Sequence, residues 1–185
     1  MRRRTPLRNR STGSALLEFA IVVPLLVVFI VGIYDFSGAY NQKQKIEHAA
    51  QVGAGTAAGQ PTGDMDPAVA NPQSLQPAVD VIFHSLAADN VLPLANQGSC
   101  KTPAAGTSAG GLSWTYAITG CPDALTITID RGVVAPGAPA TVSTSVTVSY
   151  PYRWRFNSVI QLLVPGASYA ATTDLRQTAT AYNQM

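Results

Sequence analysis

Hydrophobic positions follow three different rhythms along the chain. Residues 14–34, SALLEFAIVVPLLVVFIVGIY, form an almost unbroken apolar run in which Glu18 is the one charged residue. A helix of that length spans about 30 Å, the thickness of a bilayer's hydrocarbon core. Pro24, inside the run, removes a backbone donor and is expected to kink or loosen the helix. Beyond Asp35 the rhythm loosens to a three-or-four spacing through Phe36, Tyr40, Lys43, Ile46, Ala50, Gly53 and Ala57. Ala39, Ala49, Ala50 and Ala54 add close-packing faces. Together these predict one long helix from Ser14 to Ala58, weakened by Gly53, Gly55 and Gly59 and stopped by Gln60-Pro61-Thr62-Gly63.

A Pro-, Gly-, Asp- and Asn-rich connector follows over 60–76. Its Asp64 and Asp66 lack the ligand run and terminal Glu of a calcium loop, which predicts a solvated turn. Pro77 opens a second helix with Val79, Ile82, Phe83, Leu86 and Val91 on its apolar stripe. After Cys100 the period changes to two. Trp114, Tyr116 and Ile118 alternate, as do Leu125, Ile127 and Ile129, then Val142, Thr144, Val146, Val148 and Tyr150, with Ser143, Ser145, Thr147 and Ser149 on the opposite face. Cys121-Pro122-Asp123 and the stretch from Arg131-Gly132 to Pro139 are expected to turn the chain. Asn157 is expected to cap a short helix through Leu163 that Pro165-Gly166 ends, and Ser168–Tyr182 to form a last strand. The expected class is α+β: a long N-terminal transmembrane and spine helix, then a small domain with an antiparallel β-sheet and one or two short helices.

Charge changes this picture at one end. Charged residues are 12% of the chain, against about 25% in ordinary soluble domains. Arg2, Arg3, Arg4, Arg8 and Arg10 all precede the apolar run with no acid among them. Without those five, seven basic residues face ten acidic ones, net −3. Basic residues beside an apolar helix fit the positive-inside rule, placing the N-terminus in the cytoplasm, and disfavour nucleic acid as a partner. Arg153-Trp154-Arg155-Phe156 interleaves cations and aromatics in a way that suits nucleic acid or a lipid headgroup. Edge-strand charge beside a partly buried Trp explains the same four residues more simply.

Candidate chemistry is sparse. Cys100 and Cys121 form an even pair in a chain expected to cross a membrane, which suggests one disulfide closing a Gly-, Ser-, Thr- and Ala-rich loop; two free thiols are the alternative. His48 and His84 are the only histidines, and Asp80 with His84 reads as a surface pair, so no metal site is expected. Neither a Gly-x-Ser-x-Gly elbow nor a phosphate loop occurs, so neither catalysis nor a cofactor is expected.

Gly13-Ser14-Ala15-Leu16-Leu17-Glu18-Phe19, behind a short basic leader, resembles the processing site of type IV pilin-like proteins. The run from Gly32-Ile33-Tyr34-Asp35-Phe36 through the alanine-rich stretch to Ala58 is similar to the TadE-like minor pseudopilins of the tight-adherence (Flp, type IVc) pilus system. Val146-Thr147-Val148-Ser149-Tyr150-Pro151-Tyr152 resembles a strand common in that family. Gln51 and Gly55 depart from the pattern, since many members carry Arg in the alanine stretch.

The resemblance implies cleavage by a prepilin peptidase between Gly13 and Ser14, which makes Glu18 fifth and Phe19 sixth in the mature chain. It implies that Glu18 pairs with a neighbouring subunit's N-terminal amine and sets register. Expected partners are that peptidase, other pilins or pseudopilins, the inner-membrane assembly platform and the membrane. The implied organisation is a leader over 1–13, a transmembrane helix over 14–34, its extension over 35–59 and an extracytoplasmic domain over 60–185, held in a bacterial cytoplasmic membrane and incorporated in the pilus. Two readings compete with it. In one, cleavage after Ser37-Gly38-Ala39, a run with the small residues of a signal-peptidase site, secretes a soluble domain. In the other, an anchored binding domain keeps its leader. The mature N-terminus separates them: Ser14, Tyr40 or Met1.

Overall fold

The computed structural model describes residues 11–66, 68–69, 71–93, 98–103, 105–135, 141–156, 161, 166 and 172–184. The five leader arginines, the turn residues 136–139, most of the helix expected from Asn157 and the start of the last expected strand lie outside them. The elements are α1 (Ser11–Ala58), α2 (Gln76–Ala88), β1 (Thr107–Gly110), β2 (Ser113–Ile118), β3 (Leu125–Ala135), β4 (Thr141–Arg153) and β5 (Thr172–Tyr182), with a short 3-10 turn, Gln73–Leu75, ahead of α2. The fold is α+β, as the periodicity predicts. By contacts the chain divides into two units, residues 1–38 with 154–171 and residues 39–153 with 172–185.

The second unit is built on an antiparallel meander with strand order β1-β2-β3-β4-β5. Its register puts Trp114 opposite Ile129, Tyr116 opposite Ile127, Ile127 opposite Val148 and Ile129 opposite Val146. These side chains are fully buried, while Thr115, Thr126, Thr128, Thr147 and Ser149 on the alternate positions are half-buried. A slip of one residue would exchange the two sets, so burial of one face fixes the register.

The outer part of α1 belongs to the same core. Its buried stripe is Ala39, Ile46, Ala49, Ala50, Ala54 and Ala57, whereas Phe36, Tyr40 and Lys43 are exposed. This corrects the expected stripe at its first three positions. Small residues win the core-facing side because they leave room for side chains of neighbouring elements, and Gly53 shows how closely one of them lies. A Cβ there would lie 2.3 Å from Cγ1 and 2.4 Å from Cδ1 of Ile82, itself fully buried on α2. Gly55, two residues on, faces open space. On α2, Val79, Ile82 and Leu86 are buried and Phe83 half-buried, as the stripe predicts.

The details of three segments go beyond expectation. Cys100 and Cys121 are bridged, with Cα atoms 4.6 Å apart, and the strand expected at Trp114–Ile118 pairs with a further strand inside the closed loop as the β1–β2 hairpin. Gly110 and Gly111 turn it at φ of 94° and 60°, a conformation open to glycine at little cost. The fold also ties the hairpin down where Tyr150 donates its hydroxyl to the carbonyl of Cys121, 2.9 Å.

Arg131-Gly132 does not turn the chain. β3 runs on to Ala135 through a bulge between Asp130 and Val133, and the Arg131 N–H donates to the Leu112 carbonyl at 2.9 Å. The extra residue turns the Arg131 side chain into the protein, where it is 2% exposed. Its Nη1 donates to the carbonyls of Gln60 and Pro61, at 2.9 and 3.3 Å.

Those two carbonyls open the connector, and Asp64 is the third correction. Its Oδ2 accepts the N–H of Ser74 at 2.8 Å, closing the connector on itself, and Trp114 donates Nε1 to the Val69 carbonyl at 3.0 Å. An irregular segment needs such partners for its backbone. Hydrogen bonding from Ser74 holds the Asp64 carboxyl below its ordinary value. Burial, helped by Asp64, pushes the Tyr116 phenol up to about 12.

Two outcomes are expected. Gly53→Ala should destabilise the fold by about 1–3 kcal/mol through overpacking against Ile82. Gly55→Ala should stabilise by about 0.5–1 kcal/mol through helix propensity. Thermal melts of the two variants in detergent will show opposite shifts. A carboxyl with a depressed folded pKa contributes stability above its ordinary value of 3.8 and loses it as pH falls through the folded value. Asp64→Asn should therefore flatten the fall of the melting temperature below that pH. A smaller acid limb should remain from Asp123, whose carboxyl Arg153 also holds low.

Candidate functional site: the apolar half of the N-terminal helix

The residues that the fold leaves unexplained lie at the start of α1. Helical structure begins at Ser11, three residues before the expected start, and passes through Pro24 without a break in assignment. The helix is long and apolar enough to cross a membrane, and the apolar window has none of its residues buried within the protein. Leu16, Leu17, Phe19, Ile21, Phe29 and Ile33 are each more than 60% exposed. An uninterrupted apolar surface of this kind marks contact with lipid or with other helices.

Glu18 is exposed on that surface. Ser14, four residues earlier and so on the same helix face, donates its hydroxyl to Glu18 Oε1 at 3.1 Å. Among the described residues Glu18 forms no ion pair. A neutral hydroxyl does little to offset the cost of placing a carboxylate in an apolar medium, so the arrangement leaves room for a cation. Phe19 beside it is also exposed. Gly13 lies within the first turn, and a Cβ there would meet nothing within 4 Å. Packing does not require glycine at that position, although glycine weakens a helix by about 1 kcal/mol relative to alanine.

At the other end of the run the structure adds residues that sequence reasoning had not joined. Asp35 is 1% exposed, and its carboxylate accepts the backbone N–H of Phe156. Phe36 meets Trp154 edge to face, with ring centroids 5.3 Å apart. The Arg155 guanidinium stands over the Tyr34 ring at 6.0 Å. Sequence had placed Asp35 at the end of the uncharged run and within the TadE-like resemblance, without a contact to position 156. Nothing in the chain's pattern joins positions more than a hundred apart. Arg153 separates from its neighbours in function. It ends β4, which lies between β3 and β5 and so is not the edge strand expected, and its charge holds Asp123 through two hydrogen bonds, 2.8 and 2.7 Å.

The remaining chemistry is thin. His48 and His84 are exposed on separate helices, and Asp80 accepts a hydrogen bond from Gln76. Among the described residues no three His, Cys, Asp or Glu gather as metal ligands.

Comparison with curated proteins and with solved structures returned no match. A family model does match, and it covers the apolar span together with the first part of the core-facing stripe of α1. Over residues 13–55, the stretch that holds Gly13, Glu18 and Asp35, the sequence matches the model of the TadE-like protein family.

Proposed function

We propose that the protein is a minor pseudopilin that a prepilin peptidase cleaves between Gly13 and Ser14 and that takes part in assembling, priming or capping a Tad-type pilus. The TadE-like match suggests involvement in that pilus system. The observation that carries the reading is the bare apolar half of α1 with its exposed Glu18, to which Ser14 donates a hydrogen bond among the described residues. Such a helix is stored in a bilayer until other helices replace the lipid. A carboxylate near its start then seeks a cation.

Cleavage after Gly13 creates that cation. It frees the Ser14 α-amine one helical turn from Glu18, on the same face. In an assembly, the Glu18 carboxylate of one subunit pairs with the Ser14 amine of its neighbour. Opposite charges in a low-dielectric contact offset part of each other's burial cost, and the requirement to pair fixes the axial register between helices. Gly13, which packing does not require, suits a peptidase that must bring the backbone close to its own catalytic groups. The domain over 60–185 then lies outside the cytoplasm, where the Cys100–Cys121 bridge is chemically stable. The assembly platform and neighbouring pilins are the partners that this mechanism requires, and no catalysis by the chain itself enters it. The signal-peptidase alternative would cut within α1, beside the buried Ala39, and would discard Asp35 with its contact.

Mass spectrometry of the protein purified from membranes should find a chain beginning at Ser14 when the peptidase is present and an uncut chain when it is absent. A mature start at Tyr40, or an uncut chain in both strains, defeats the proposal. Glu18→Ala should leave membrane insertion unchanged and reduce surface pili, counted by electron microscopy. Normal piliation in that variant would remove Glu18 from the mechanism.

A further inference from the structure

The apolar run ends at Tyr34, and the chain returns to this level of the helix through Trp154, Arg155 and Phe156. Three separate contacts hold the return: the Asp35 carboxylate on the Phe156 N–H, Phe36 edge-on to Trp154, and Arg155 over Tyr34. Each has its own chemistry, so the arrangement does not depend on one contact. Asp35 is sealed, but the groups around it face outward. Tyr34 and Phe36 are 65% and 69% exposed, Arg155 is exposed, and Trp154 is half-buried. Among the described residues Arg155 has no ion-pair partner, in contrast to Arg153. After Phe156 the sequence carries no charged residue until Asp174.

We infer that Tyr34, Phe36, Trp154 and Arg155 form a collar that binds phospholipid at the headgroup level of the leaflet facing the domain, with Arg155 on lipid phosphate. The inference rests on the reading of 14–34 as a membrane span. From Ser14 to Tyr34 a helix climbs about 30 Å, one hydrocarbon thickness, which brings the collar level with the headgroups. Aromatic rings with an apolar body and a polar edge are favoured at that level, and a guanidinium there meets phosphate oxygens that suit its fork of donors. The contact with Asp35 serves the same end. It satisfies a carboxylate that would otherwise meet anionic headgroups, and it leaves Arg155 as the exposed charge of the cluster. The collar sets how deep the helix sits. A subunit drawn out of the membrane must give up these lipid contacts along with those of the apolar run.

The chain has two tryptophans, and Trp114 is fully buried in the core of the second unit, so lipid-dependent emission can be assigned to Trp154. The full-length protein is reconstituted into phosphatidylcholine–phosphatidylglycerol vesicles carrying lipids brominated either near the headgroup or near the chain terminus. Insertion is verified independently by resistance to alkaline extraction. The expected result is stronger quenching by the shallow label than by the deep one, lost in Trp154→Phe and weakened in Asp35→Asn. Arg155→Ala should make the quenching insensitive to the phosphatidylglycerol content. Inserted protein whose emission neither label quenches, or whose quenching survives in Trp154→Phe, overturns the collar and leaves the membrane span intact. Protein that alkali extracts overturns both.

Discussion

A long apolar helix that its own chain does not cover needs another apolar environment, and the rest of this structure depends on that constraint. Folding removes apolar surface from water at about 25 cal/mol per Å². The second unit does so with a one-faced sheet closed by α2 and the outer part of α1. The first half of α1 receives no such cover. One helix therefore obeys two packing rules. Its core-facing half is selected for small side chains that make room for neighbouring side chains, and its apolar half for bulky ones that suit lipid or other helices. The change between them falls near Asp35, and both the chemistry of the apolar run and the shape of the core follow from it.

The core-facing half tolerates little variation where a neighbour's side chain lies against the helix backbone. Gly53 marks the tightest approach, against Ile82. The buried Arg131 has a similar constraint in polar form. Its guanidinium is withdrawn from water, and the cost is offset by two connector carbonyls and by the nearby Asp64. The connector contributes little apolar surface. A buried cation on β3, the Asp64 contact with Ser74 and the Trp114 contact with Val69 give it one defined path to α2.

Much of this was legible in the sequence, for identifiable reasons. The apolar run, the stop at Gln60-Pro61, the start at Pro77 and the alternation through β2, β3 and β4 from Thr144 onward are local signals, whereas at the start of β4 Val142 is exposed and Ser143 buried, against expectation. What sequence could not supply was long-range pairing. The expected stripe on α1 admitted Phe36, Tyr40 and Lys43 because periodicity alone does not say which face a sheet will cover. Arg131-Gly132 looked like a turn because a bulge and a turn share residues, and only the Leu112 carbonyl across the sheet distinguishes them. Asp64 looked solvated because its partner Ser74 lies across a loop. At the candidate site, Glu18 and Gly13 were conspicuous as exceptions within a regular run. The Asp35 contact was not, because its partner is a backbone N–H that any residue at position 156 other than proline could supply.

The two acids that bracket the apolar run meet opposite fates, and the contrast bears on what the chain does. A carboxylate beside a hydrocarbon layer must be paired, hydrogen-bonded or protonated. At the outer end the chain meets this demand itself. Asp35 is sealed from water and accepts an N–H from a segment that travels back along the sequence to reach it. At the inner end it does not, since Glu18 stays exposed with the Ser14 hydroxyl beside it. The fold could satisfy one acid because a folded domain follows it in sequence, and no part of that domain can reach the opposite side of a bilayer. If the run spans a membrane, Glu18 can gain a strong partner only from its own N-terminus or from another molecule. If the chain is cut after Gly13 as proposed, its own Ser14 amine lies one turn away on the same helix and cannot link one subunit to the next. Another subunit has no such restriction. The exposed carboxylate at that end is therefore the feature on which the proposed assembly role of this chain rests.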